Sequence, residues 1–417
     1  MSAPIRKKSR LLPPILAIVS AACGANQSAQ SPSETAAAVA ASEREGTSAS
    51  DATALSDGEW ANQTFSPQLG SVPDPNLEPL VAACGEGDAA LHDVAAFVAE
   101  AQSKSGELPD LDAINFELRR RGSPHVMPRL WAASASGVAY EQLAEHVSRW
   151  ASGRPRRGTI RCGAGIFRNG RGVNVAVLQV DVVAELSPIP TRVEAGTWLN
   201  IHSRFLLPTT ASSIVLLSPD GTPRTVPATL KGDDANARVS LPTAGTWLIQ
   251  VMATQAGGPL PVASALVTAG DAPPAAMTGG AVPGEKAYDP RLSPDEALLG
   301  LVNAARQERG LPTLRRNKTL DGVAVAHSER MRERGQISHD TGHGDPGRRV
   351  AEAGLSPRAT GENVAMASTV VRLHRALWAS PSHRENLLLR RWDEVGIGIV
   401  QQDDGSLMAT QLFIDVR

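Results

Sequence analysis

The chain has 417 residues, more than one hydrophobic core normally serves, so two or three domains with connecting segments are expected. An apolar content of 42% is enough to build such cores. A formal net charge of −2 with 4% aromatic residues leaves no basic, ring-bearing surface of the kind nucleic acid needs, and no nucleic-acid partner is expected. The basic runs at Arg119, Arg120 and Arg121 and at Arg154, Arg156 and Arg157 are local, and read as solvated helix and loop faces.

Residues 1–23 read as an export signal. Arg6, Lys7, Lys8 and Arg10 precede an apolar stretch at 11–22 that is too short to span a bilayer and ends in small residues. Cys23, directly after Ala21 and Ala22, resembles the lipidated cysteine of a bacterial lipoprotein; the alternative is simple cleavage and secretion. Either route predicts an exported protein, at the outer membrane or cell surface or secreted, whose contact with membrane is only through a lipid anchor. Assigning Cys23 to lipid leaves Cys84 and Cys162 as an even pair in an oxidising compartment, so a Cys84–Cys162 disulfide is expected, with two buried thiols as the alternative. Residues 24–75, rich in Ser, Ala, Gln, Thr and Glu without periodicity, predict a disordered spacer.

From 76 to 184 the pattern turns helical and then β. Leu91, Val94, Ala95 and Val98 share a face, as do Ile114 and Leu118 with Leu111, and Val147 and Trp150 with Leu143. A β-rich pair of runs then flanks Asn169-Gly170, a hairpin signal. This hairpin recurs at 394–415 with the same Gly-x-Gly opening, and a helix ending Trp-Ala-Ser precedes each, at Trp150 and at Trp378. The chain therefore predicts a duplicated unit of helices followed by a hairpin. The first copy lacks the polar segments described below.

Residues 185–269 carry short β-rich runs parted by Pro and Gly turns, which predicts an antiparallel sandwich of immunoglobulin-like size, with Trp198 and Trp247 packing in its core. Residues 270–291, rich in Ala, Pro and Gly, read as a second linker. The segment 292–417 opens on Ser293-Pro294-Asp295-Glu296, an N-cap with proline at the first helical position and a capping-box glutamate. A second helix follows Asn317 and stops at Gly335, and His327 lies on its apolar stripe as a core histidine.

Two further histidines carry the chemistry. His339 sits in a loop of small and polar residues beside Ser338, whereas His343, among glycines, reads as solvent-facing. Ser380 is placed to cap a helix that Pro381 begins, which puts His383 in its first turn, where the helix dipole favours a neutral imidazole. Gly361 and Asn363 bracket Glu362, and the expectation is that the side chains at 339, 362 and 383 converge on one hollow. Two imidazoles and a carboxylate suit a divalent metal, Zn²⁺ among them; Glu362 is equally consistent with holding a histidine N–H from behind. A structural hydrogen-bond network is the alternative to any ligand site.

The segments Leu299-x-x-Val302-Asn303, Ala326-His327-Ser328, Ser338-His339, Gly361-Glu362-Asn363-Val364-Ala365, Trp378-x-Ser380-Pro381-x-His383-Arg384-x-Asn386-Leu387 and Val395-Gly396-x-Gly398 together resemble the bacterial branch of the CAP superfamily, or SCP domain, over about 293–417. The resemblance implies an α/β/α sandwich with a central cavity in which His339, Glu362 and His383 occupy three of four tetrad positions. Ser380 and Pro381 stand where many relatives carry a further glutamate, so the metal site rests on the two histidines, with Ser338, Asn363 and Asn386 around the cavity. The whole chain then reads as α+β: a C-terminal CAP domain, a central β-sandwich and an N-terminal degenerate CAP-like domain. The resemblance implies an envelope or extracellular binding protein more readily than an enzyme, since members bind divalent metals and some bind lipids. A metal-dependent hydrolase of peptide or cell-wall substrates, with Glu362 activating a metal-bound water, is one alternative. A non-catalytic interaction protein is another.

Overall fold

The computed structural model describes residues 17–21, 64–66, 69–135, 139–153, 156–170, 172–274 and 281–416. Cys23 and most of the expected signal and spacer lie outside the described residues. Part of the expected spacer does not: Phe65 is fully buried in the core of the central sandwich and Val72 is buried in the first domain, so packed structure begins before residue 76.

The first region contains β1 (Ala17–Ala21), α1 (Glu78–Ala82), β2 (Glu86–Gly87), α2 (Ala89–Ser105), α3 (Leu111–Arg120), β3 (Arg129–Ala135), α4 (Tyr140–Ser152), β4 (Thr159–Asn169) and β5 (Gly172–Val182). Its sheet runs β1-β3-β5-β4-β2, antiparallel except for the parallel pair β2 and β4. The segment β1, from the apolar stretch of the expected signal, pairs with β3 at the sheet edge. Helices α1 and α4 bury one sheet face with Trp131, Val147 and Trp150, while α2 and α3 bury the other with Leu91, Val98 and Leu178. Cys84 and Cys162 are joined as a disulfide, with their Cα atoms 5.9 Å apart.

The middle region is built of β6 (Ala184–Leu186), β7 (Arg192–Val193), β8 (Trp198–Phe205), β9 (Ala211–Leu217), β10 (Pro223–Pro227), β11 (Thr229–Lys231), β12 (Asp234–Ser240), β13 (Gly245–Gln255) and β14 (Gly258–Ala269). Two sheets, β11-β12-β8-β6 and β10-β9-β13-β14-β7, share one core that includes Ile201, Leu216, Ile249 and Val267. Their burial patterns differ. Strand β8 alternates buried and exposed, the mark of a sheet with one wet face. Strand β13 is buried continuously from Trp247 to Ala253, so its sheet is covered on both faces. Trp247 takes its expected core place, but Trp198 is 56% exposed with Arg238 stacked on its ring, because it points to the open face of β8. The long strand β14 is missed by sequence reading, since Pro259 and Pro261 argue against a strand.

Residues 281–289 belong to the packing of the last region rather than to a free linker. Glu285 pairs with Arg375, and the Pro283 carbonyl accepts from His374 Nε2. The last region follows as α5 (Pro294–Glu308), β15 (Arg315–Arg316), α6 (Lys318–Arg334), α7 (Pro346–Glu352), β16 (Ala359–Ala367), α8 (Val370–Ala379), α9 (Pro381–Leu388), β17 (Glu394–Gln401) and β18 (Leu407–Asp415). The expected capping box at Ser293 and the Asn317 cap are both formed. Its sheet runs β15-β17-β18-β16, with β15 and β17 parallel.

That order matches β2-β4-β5-β3 strand for strand, including the parallel pair at one end. In both regions a 17-residue helix follows the short strand. The Gly-x-Gly motif has the same physical cause in each: the helix backbone lies directly on the strand. A Cβ on Gly165 would sit 2.0 Å from Ala96 N, and one on Gly398 would sit 2.1 Å from Val325 N.

Candidate functional site

The site lies where the loop after α6 meets β16 and α7. Glu362, on β16, has its side chain almost wholly buried and both oxygens engaged. His339 Nδ1 donates to Oε1 at 2.8 Å, and Arg349 Nη2 donates to Oε2 at 2.8 Å. The same Arg349 nitrogen reaches the His339 carbonyl at 3.0 Å, so one guanidinium ties the helix α7 to both partners. In the neutral His339 ring the proton is on Nδ1, and the Nε2 lone pair makes no bond to a described residue. Arg349 carries no signal in the sequence beyond its place in a short helix whose Asp345 cap and Pro346 are recognisable.

His327 is fully buried on α6, as its stripe predicts; Nε2 meets the Ser338 carbonyl at 2.8 Å and lies 3.9 Å from Glu362. Desolvation pushes its pKa down to about 4. Ser338 Oγ donates within its own loop to the Asp340 carbonyl. His343 is exposed, in the place its glycines predict.

His383 occupies the first turn of α9, and neither ring nitrogen has a hydrogen-bond partner among the described residues. A partly exposed edge notwithstanding, desolvation is the main cause that lowers its pKa to about 4, and the nearby charge of His339 adds to it. The expected cause, the helix dipole, is not the leading one. Ser380 is the N-cap residue, but its side chain makes no cap hydrogen bond. The amide of Ser382 instead donates to Gln250 Oε1, a side chain of the central sandwich, at 3.2 Å. Asn363 and Asn386 lock strand to helix: Asn386 Nδ2 reaches the Glu362 carbonyl and Asn363 Oδ1, and Asn363 Nδ2 reaches the His383 carbonyl.

A cavity of about 630 Å³ opens beside this network, lined by His339, Glu362, Gly361, Asn386, Leu355 and Pro259 among others. The size falls in the range of small-molecule pockets. His383 is not among its lining residues. His339 and Glu362 thus face one cavity, and the charge on His339 acts on His383. Among the described residues no three His, Cys, Asp or Glu side chains form a metal-ligating cluster. The donor chemistry that fits a metal is that of the two imidazoles, with both Glu362 oxygens engaged by His339 and Arg349.

Residues 299–413 match the sequence profile of CAP, the Cysteine-rich secretory protein family. The C-terminal region of this chain carries a CAP domain. The uncharacterized protein YkwD of Bacillus subtilis is 32% identical over 122 residues, which is 29% of this chain and 46% of that protein, so the chain spans less than half of the curated relative it matches. An outer surface protein of Borrelia burgdorferi is 24% identical, over 30% of this chain and 93% of that one, at a TM-score of 0.29. An extracellular SCP-domain protein of Bacillus anthracis is 15% identical over 69% of this chain and 81% of that one, at a TM-score of 0.27.

Proposed function

We propose that this chain is an exported protein of the bacterial envelope or exterior that acts by binding, with a divalent-metal site formed by His339 and His383 in its CAP domain. The reading rests chiefly on one observation: His339 Nε2 and both ring nitrogens of His383 make no hydrogen bond to a described residue, and His339 is within reach for its charge to act on His383. Metal binding requires neutral imidazole, and the lowered pKa of His383 keeps it neutral well into the acid range. Glu362 serves from behind, fixing the His339 ring so that Nε2 faces outward, and Arg349 holds Glu362. Zinc, when bound, would supply a fixed positive charge able to fasten an anionic or carbonyl-bearing ligand in the cavity. Zinc titration of the full chain against His383→Ala tests this; equal affinity removes the metal site.

Glu362 as the base of a hydrolase is less well supported, because its buried carboxylate is held as an anion by Arg349 and bonded to His339. The matched strand order and helix–strand contacts support a degenerate CAP-like fold for the first region, and the two facing sheets support an immunoglobulin-like sandwich. We place the chain outside the cytoplasm on its basic-apolar N-terminus and the Cys84–Cys162 pair, with Cys23 as the candidate lipid anchor. Metabolic labelling with a palmitate analogue, compared with Cys23→Ser, tests the anchor.

A further inference from the structure

The β-sandwich touches both histidine-bearing segments of the CAP domain, and at backbone distance. At the tip of the β13–β14 hairpin the Gly257 carbonyl accepts from the His339 amide at 3.1 Å, with Ser338 Oγ 3.3 Å away. Gly258 lies flat against the imidazole: a Cβ there would be 2.6 Å from His339 Cβ, at a φ of +101° that disfavours any side chain. Pro259, the next residue, lines the cavity. Seven residues before Gly257, Gln250 supplies the acceptor for the Ser382 amide, one position before His383. Gln250 thus fills the capping role that Ser380 leaves open, and it does so from another domain. Gln250 is itself 5% exposed, in the midst of the doubly covered strand β13.

We propose that the sandwich is a positioning element of the site: Gly257 and Gly258 set His339, Gln250 sets His383, and the two imidazoles take their relative places only when the sandwich is docked. The physical reason is that neither histidine is held by its own domain alone. His339 sits in a loop without regular structure, and α9 is a two-turn helix whose first turn lacks a side-chain cap of its own. One rigid strand pair contacting both segments fixes their separation. Arg309 and Arg384 reinforce the docking by donating to the Asp220 and Gly221 carbonyls of the sandwich. The proposal rests on the metal-binding reading above for what the site holds, but not for how it is held.

The test uses the full chain and four variants. Gln250→Leu removes the acceptor at similar volume, and Gln250→Glu retains it beside a helix N-terminus that favours a carboxylate. Gly258→Val intrudes on His339. Gly232→Ala is the control, a positive-φ hairpin glycine with nothing within 4 Å of an added Cβ. Amide hydrogen exchange is read at Ser382 and His339, and zinc affinity by titration. Loss of Ser382 protection in Gln250→Leu, loss of His339 protection in Gly258→Val, and a fall in zinc affinity of about tenfold in each support the proposal, as does retention of both in Gln250→Glu and Gly232→Ala. Zinc affinity within twofold of wild type in both disruptive variants overturns it. Absence of zinc binding by the wild type overturns the metal reading alone. Exchange then decides: lost protection supports positioning by the sandwich, and unchanged exchange overturns it.

Discussion

The first and last regions share a strand order, a helix laid on paired glycines and a buried tryptophan at the end of a helix upstream of the hairpin, yet His92 and His125 are used differently from His339 and His383. In the first region His92 meets backbone groups of Ala164 and Gly70 with both ring nitrogens, and His125 is closed onto Asp88 at 3.1 Å. Each is a satisfied structural group. In the last region His339 is held on one side by Glu362, and among the described residues neither its Nε2 nor either ring nitrogen of His383 has a hydrogen-bond partner. Scaffold and site are therefore separable: the sheet and its glycines build the fold, and a few loop and helix-start residues decide whether it carries chemistry.

Four measurements break or sharpen that contrast. Arg349→Met leaves Glu362 buried beside His339 without its cation, a cost of about 3–5 kcal/mol in denaturant unfolding, together with weaker zinc binding. A cost below about 1 kcal/mol would show that the pair is no keystone of the last region. Reduction, or Cys84→Ser with Cys162→Ser, destabilises the first region by about 2–4 kcal/mol, since the bond closes a separation of 78 residues, and leaves zinc affinity unchanged. A change in zinc affinity would couple the two regions.

The third measurement compares Gly165→Ala with Gly398→Ala. Each added methyl meets helix backbone, so each costs about 1–3 kcal/mol, and markedly unequal costs break the idea of a common scaffold. The smallest effect is on pH. His327 and His383 titrate near 4 in the native state against an ordinary 6.5, so the unfolded chain binds more protons between those values. Stability is full above about pH 6.5 and falls as acid is added, by about 1–2 kcal/mol for each histidine at pH 5. His327→Gln flattens that slope; an unchanged slope, measured by unfolding midpoints at pH 7 and 5, contradicts the assignment.

Much of the last region was legible because its signals are local. Ser293 with Glu296, Asn317 and Pro381 mark helix starts through bonds within a few residues. Gly396 and Gly398 repeat the spacing of Gly163 and Gly165 because the same helix must come equally close. Arg349 was invisible, since nothing in a charged residue on a short amphipathic helix announces a carboxylate 13 positions away. Gln250 did leave a trace, one amide within Trp247-Leu-Ile-Gln-Val-Met-Ala253, which is a polar side chain at a place that a buried strand tolerates only with a partner.

By itself the sequence determined the helix starts at Ser293, Asn317 and Pro381, the two hairpins that close the α/β regions, several of the polar residues near the cavity and the pairing of Cys84 with Cys162 as a candidate. These follow from periodicity, capping chemistry and residue type, all of which act over one or two turns of chain. Only the tertiary structure decided that Glu362 is clamped on both oxygens, that Trp198 faces solvent and that a hairpin of the sandwich rests on His339. Each of those depends on which surfaces meet across 13 to more than 100 residues of chain, and burial and hydrogen-bond satisfaction at such contacts are properties of the packed whole.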